Sequence, residues 1–201
     1  MSDKSILRYF ILHKPVNMVS QFVSTHEVGL LGDIDFLFPE GTHAIGRLDN
    51  HSEGLLILTT DKSITKRLFQ GTIPHTRQYL VQVKHIISAE TLEKLRTGVS
   101  IRIRGGEFYT TTPCAVELVD NPFDYVKAKE NPNLYQASSW LMITLTEGKF
   151  HQVRKMVDVV GHKCVRLIRV AIEQIKLGDL PPGEVREMDS QSFFEQLRIP
   201  N

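Results

Sequence analysis

A chain of 201 residues with 41% apolar content can bury a proper core, as one sizeable domain or two small lobes around a cleft. A net charge of +1 excludes a global electrostatic pull toward polyanions. Cys114 and Cys164 have no metal-ligand or disulfide-framework spacing, the eight histidines include no HExxH-like pair, and no apolar run approaches transmembrane length.

Arg8 to His13 is a short apolar strand ended by Lys14-Pro15, and residues 16–43 mix turn formers with isolated apolar groups and read as irregular. Leu55 to Thr59 is a continuous apolar run, the pattern of a strand covered on both faces. A helix follows from Asp61 or Ser63, with Ile64, Leu68 and Phe69 on one face and Gly71 beyond its end. Gln78 to Lys84 alternates, with Tyr79, Val81 and Val83 on one side and Leu80 on the other. Ser88 caps a helix that stops at Gly98.

Val99, Ile101 and Ile103 alternate with polar residues as a half-exposed strand, and Thr110 to Val119 reads as another. Residues 120–138 carry two prolines and no periodicity, which predicts a long, mobile surface loop. Trp140 to Thr146 is a strand, a helix spans about 151–160 and stops at Gly161, and Lys163 to Val170 returns as a strand. Ser192 to Leu197 is a short terminal helix. Strands and helices interleave without regular βαβ repeats, which predicts α+β with a mixed, largely antiparallel central sheet and flanking helices.

Charge is uneven along the chain. Lys149 to Arg169 holds six Lys/Arg against Asp158 alone, and Glu173 to Glu195 holds six acids against Lys176 and Arg186. One basic face on a balanced protein suits a polyanion held in a groove. Four segments bear on chemistry: GRLDNHSEGLLILTTD from Gly46 to Asp61, Arg77-Gln78-Tyr79, EGKFHQVRKM from Glu147 to Met156, and Leu167-Ile168-Arg169. Singly each is weak. An Asp in a loop is usually an exposed turn residue, a Tyr at a strand start is usually packing, and a basic helix is usually a solvated face.

Together, in this order and spacing, they resemble the pseudouridine synthases, and within them the branch that modifies ribosomal RNA at small sites. The resemblance covers roughly residues 8–188. HKPVNMVSQF and SWLMITLTEG narrow it to the type acting on large-subunit rRNA, that is 23S rRNA. The resemblance implies a pseudouridine synthase fold with a central RNA-binding cleft, as a single catalytic domain over 1–201 without a separate S4-type RNA-binding domain. Asp49 would be the catalytic aspartate, and Arg154 would pair with it and orient it. Arg47 would hold the RNA, Tyr79 would pack on the flipped uracil, and Leu167 would form an apolar wall. Lys14, Lys149, Lys155 and Arg169, with Lys163 and Arg166, would bind phosphates. Two positions depart from the family pattern: Thr60 replaces a frequent Asn, and Glu173 stands where many relatives have Gly.

The implied reaction breaks the N1–C1′ bond of uridine and rejoins the base through C5. It neither oxidises nor transfers a group, so no cofactor and no metal are expected, and the chain has no P-loop or dinucleotide fingerprint. The expected partner is ribosomal RNA, with no membrane, a monomeric state and a cytoplasmic location. Two other readings compete. One is a non-catalytic RNA-binding or ribosome-assembly protein with the same fold, and the other is a hydrolase using Asp49 and Glu53 as a carboxylate pair.

Overall fold

The computed structural model describes residues 6–69, 74–126 and 137–200. The strands, in chain order, are β1 (Tyr9–Lys14), β2 (His43–Ile45), β3 (Glu53–Thr59), β4 (Arg77–Lys84), β5 (Ser100–Arg102), β6 (Phe108–Thr110), β7 (Ala115–Leu118), β8 (Ser138–Leu145), β9 (Cys164–Ile172), β10 (Ile175–Lys176) and β11 (Val185–Met188). The helices are α1 (Ile64–Phe69), α2 (Ala89–Thr97), α3 (Gln152–Val159) and α4 (Ser190–Leu197). Among the described residues nine strands form one sheet in the order β11-β1-β3-β9-β4-β8-β7, with β2 beside β3 and β10 beside β9. All its pairings are antiparallel except β3 with β9, so the architecture is the mixed, largely antiparallel α+β one that the pattern predicts.

The pleat sends alternate residues to different cores. In β3, Leu55 and Ile57 face the cluster covered by α1 and α4, while Leu56 and Leu58 face Phe10, Leu12 and Leu31 on the other side. All seven β3 residues are therefore buried, as an uninterrupted apolar run requires. In β4, Leu80 joins the first cluster, and Val81 and Val83 pack with Leu92, Leu95, Val153, Met156 and Val157 from α2 and α3. Segment 16–43, although irregular, roofs the β1/β3 face with Phe22, Phe36 and Phe38, which pack around Phe10.

Several elements differ from expectation for identifiable reasons. The single strand expected over Thr110–Val119 is two, because Pro113 lies between them and cannot donate to a ladder; β6 pairs with β5 in a separate two-stranded sheet, and β7 pairs with β8. Phe69 ends α1 48% exposed instead of joining the core. The expected stop at Gly71 and the centre of the 120–138 loop lie outside the described residues. Strands β2, β10 and β11 are too short or too polar to show a period. Ser88 does cap α2, accepting from the Thr91 N–H at 3.2 Å, and Gly98 ends that helix at φ 105°.

Among the described residues the two halves of the sheet pair through the parallel contact of β3 with β9, with Glu53 opposite Ile168 and Gly54 opposite Arg169. Gly54 has φ 104°, and a Cβ there would fall 2.7 Å from the Arg169 amide nitrogen and nearer still to its carbonyl oxygen. Only glycine permits this approach. Beside it, Arg166 grips Glu53 through two parallel bonds of 2.7 and 2.9 Å in a nearly buried pair. Gly54→Ala is therefore expected to destabilise the fold by about 2–4 kcal/mol through backbone strain and overpacking. The midpoint of urea unfolding, with an unchanged slope, measures this directly.

Candidate active site

A cleft of about 600 Å³ opens over the β3–β9 junction, and Arg47, Asp49, Tyr79, Lys149, Leu167 and Arg169 line it. Asp49 sits on a tight turn that ends in the Ser52 N–H donating to the Asp49 carbonyl at 3.0 Å. Three contacts fix that turn. Ser20 Oγ accepts from the Leu48 N–H at 2.9 Å and stands 3.1 Å from the Leu48 carbonyl, to which it donates. The Asn17 N–H donates to the Asn50 carbonyl at 2.9 Å. From behind, Arg154 Nη2 donates to the His51 carbonyl at 2.6 Å and to Ser52 Oγ at 3.3 Å.

The expected ion pair between Asp49 and Arg154 is thus absent. Arg154 lies on the first turn of α3, where the carbonyl of the aspartate turn captures its guanidinium, so it holds the backbone that carries Asp49. The group beside the carboxylate is His151, whose Nε2 lies 3.5 Å from Asp49 Oδ1. His151 precedes α3 with φ 55°, an uncommon left-handed conformation for a non-glycine residue that turns its ring toward the cleft.

Lys14 is not a phosphate ligand either. It is fully buried, and its Nζ donates to the carbonyls of Pro15 at 2.8 Å and Met18 at 2.6 Å, pinning the loop that carries Ser20. Burial pulls its ammonium down to about 8, against the pull of the Glu53 and Asp49 charges. Arg169 is also buried rather than presented to solvent. Its Nε donates to the Leu55 carbonyl at 2.8 Å, while Nη2 is buried without a protein partner. Burial lowers its proton affinity, and Tyr79 and Asp49 are the groups facing it that raise it. Both residues thus set positive charge behind Asp49. Arg166 is withdrawn from phosphate binding by Glu53, and the same ion pair removes Glu53 from a carboxylate partnership with Asp49.

Tyr79 stands opposite Arg169 across the β4–β9 ladder, next to a register shift at Gln78/Tyr79. Such an irregularity re-aims a side chain, and here the half-buried ring reaches the cleft. Leu167, on the opposite face of β9 from Ile168, is buried in the wall as expected. Lys149 is exposed at the rim, and Lys155 lies half-buried behind it on α3.

The spacing of Glu147 and Gln152 has a local cause. Glu147 Oε1 accepts from Gln152 Nε2 at 2.6 Å and from the Thr112 N–H at 3.1 Å, Oε2 accepts from the Tyr109 hydroxyl, and Gln152 Oε1 accepts from the Lys149 N–H at 2.8 Å. These bonds close the rim loop and tie it to β6. Ser20, the role of His151 and the Lys14 anchor were not picked out from sequence; only the place of His151 inside the EGKFHQVRKM motif hinted at any of them.

A carboxylate, an aromatic hydroxyl and a buried guanidinium, brought together in one cleft with cations at its rim, define an acid–base site for a polyanionic substrate. The family model described as RNA pseudouridylate synthase matches residues 8–158. The chain is 35% identical over 184 residues to "Ribosomal large subunit pseudouridine synthase E" of Vibrio parahaemolyticus, covering 90% of this chain and 74% of that protein. It is 35% identical over 175 residues to the protein of the same name in Xanthomonas axonopodis pv. citri, covering 86% and 89%. A solved structure described as a pseudouridylate synthase superposes with a TM-score of 0.73 at 28% identity, over 96% of this chain and 74% of that one. The chain belongs to the RNA pseudouridylate synthase family.

Among the described residues no group of three or more His, Cys, Asp or Glu side chains is placed to hold a metal, and no helix is long and apolar enough to cross a membrane. The rim loop predicts a pH dependence. Burial works to raise the Glu147 carboxyl, but the donors Tyr109, Thr112 and Gln152 outweigh it, and the net displacement is downward. A depressed carboxylate contributes stability above its unfolded value, about 4.3, and that stability is lost as pH falls through the folded value. Melting temperature measured from pH 6 to pH 3 is expected to fall more steeply for the wild type than for Glu147→Gln, whose neutral amide does not titrate.

Proposed function

We propose that this protein isomerises a specific uridine of ribosomal RNA to pseudouridine, and that its target lies in the 23S RNA of the large subunit. The observation that carries the reading is the meeting of Asp49, Tyr79, Leu167 and Arg169, from three separate segments, in one cleft of a pseudouridine synthase fold. The relatives named for the large subunit support the choice of RNA. We place the reaction in the cytoplasm, on a monomer.

The chemistry needs little apparatus. The N1–C1′ bond breaks, the uracil turns, a C5–C1′ bond forms, and the hydrogen at C5 leaves while N1 ends protonated. Nothing is oxidised or reduced, so the stoichiometry calls for no cofactor. Asp49 supplies the carboxylate at the ribose, either attacking C1′ or removing the 2′ proton; both routes use the same group in the same place. Lys14 and Arg169, buried behind Asp49, oppose the negative charge gathered there. The Tyr79 ring packs on the extruded uracil, and its hydroxyl, facing Arg169, is placed for the proton leaving C5. Leu167 closes the apolar side. The buried, unpartnered Nη2 of Arg169 offers a donor to an oxygen of the bound nucleotide.

Extruding a base from its stack costs a few kcal/mol, and stacking on an aromatic ring returns roughly 1–3 kcal/mol. Arg47 at the cleft and the cations Lys149, Lys155 and Lys163 hold the backbone by a term that salt weakens. Asp49→Asn is expected to lower pseudouridine formation on unmodified large-subunit rRNA by at least about 10³-fold while leaving RNA affinity nearly unchanged. Near-normal product in a pseudouridine-mapping assay would remove Asp49 from the chemistry. Wild-type protein that binds this RNA and yields no product would favour a non-catalytic binder instead. Lys149→Ala and Lys163→Ala are each expected to reduce the slope of log affinity against log salt by about 0.7–0.9. Titrations at several salt concentrations read that slope.

A further inference from the structure

Phe150 is not used by the chemistry above, yet it lines the mouth of the same cleft with 62% of its surface exposed. It is not a loose side chain. Its ring stacks on His151 with centroids 3.9 Å apart and planes 19° from parallel, and His151 in turn stands beside Asp49. The backbone on either side is held by the Glu147–Gln152 bond and by the Lys149 N–H bond to Gln152, and His151 carries the left-handed turn that aims the pair outward. Lys155 Nζ lies 5.4 Å from the Phe150 ring centroid, and the neighbouring Lys149 lies 4.4 Å from that of Tyr109.

A large apolar ring fixed in place and exposed to water is costly for the free protein and gains area only when something flat covers it. The surroundings restrict what that can be. The ring adjoins the pocket that takes the target nucleotide, so its occupant is covalently continuous with that nucleotide. The cations beside it suit a phosphate, and among the described residues that line the cleft the carboxylates are the sequestered Glu147 and the pocket's own Asp49.

We infer that Phe150 is a stacking platform for the base of a nucleotide flanking the target uridine, with Lys149 and Lys155 taking the phosphates on either side of that base. This rests on the uridine-isomerase reading and adds a substrate subsite to it. An aromatic face lacks donors and acceptors, so the platform accepts any base and holds purines best through their larger area. It acts on unpaired or opened RNA, because a base inside a duplex is already stacked on both faces. Phe150 is thus a determinant of substrate affinity, placed outside the bond-making steps.

The test compares wild type, Phe150→Ala and Phe150→Tyr on an unmodified large-subunit rRNA transcript, following both equilibrium binding and turnover. It adds a hairpin that carries 2-aminopurine next to the modified uridine. Phe150→Ala is expected to weaken binding and raise KM by roughly 5- to 150-fold, with kcat at saturating RNA within about twofold of wild type. The 2-aminopurine fluorescence should be quenched on binding wild type and Phe150→Tyr, and stay bright with Phe150→Ala. Phe150 is exposed, so the alanine variant should melt with the wild type. Unchanged binding by Phe150→Ala overturns the platform, as does a fall in kcat at constant KM. Absence of product from the wild type overturns the isomerase reading separately, and the binding comparison still reports on Phe150.

Discussion

The contact of Gly54 with the Arg169 backbone governs how the two halves of the central sheet meet. Seven of the strands form a continuous path, and at its centre the path is held by two register pairs between β3 and β9. The missing Cβ at Gly54 lets the two strands approach, the Glu53–Arg166 pair clamps them on one side, and the Arg169 side chain bonds Leu55 on the other. The cleft lies over this junction because β3 brings the aspartate turn from one half of the sheet and β9 brings Leu167 and Arg169 against β4 and its Tyr79. A shift at the junction would separate the carboxylate from the residues it works with.

Burial of cations is the second organising feature. Lys14 and Arg169 both lie within the protein, both lose proton affinity to burial, and both interact with the Asp49 charge. Removing charges from water is expensive, so such groups are stable only when bonded and opposed by other charge. The carbonyls of Pro15, Met18 and Leu55 supply the bonds, and Asp49, with Glu53 for Lys14, supplies the opposing charge. The electrostatic support assigned by the family pattern to one arginine is delivered by two other cations, while Arg154 steadies the aspartate turn itself.

Glu173 shows how a departure from the family pattern is absorbed. It adopts φ 49°, a conformation that glycine takes readily, at the end of β9. Its buried carboxylate accepts from the Thr76 N–H and hydroxyl and lies 3.6 Å from both His75 and Arg198. The strain of a left-handed glutamate is offset by a set of partners that ties β9 to the entry of β4. These partners fix the path of the chain as it leaves β9.

The division between what was legible and what was not follows the range of the forces involved. Hydrophobic period, capping residues and turn formers are local, and from them β1, β3, β4, β8, α2 and α3 could be placed, together with the α+β class and the motif carrying Asp49. Cross-strand pairing is not local. The short strands β2, β10 and β11 exist because a neighbour offers its edge, and Pro113 divides a stretch whose composition reads as one strand. The candidate residues Arg47, Asp49, Tyr79, Lys149 and Leu167 do converge on the cleft, but the sequence counts Lys14, Arg166 and Arg169 only as positive charges. Whether a lysine meets a phosphate or a pair of buried carbonyls depends on which strands lie over it, and only the tertiary structure decides that.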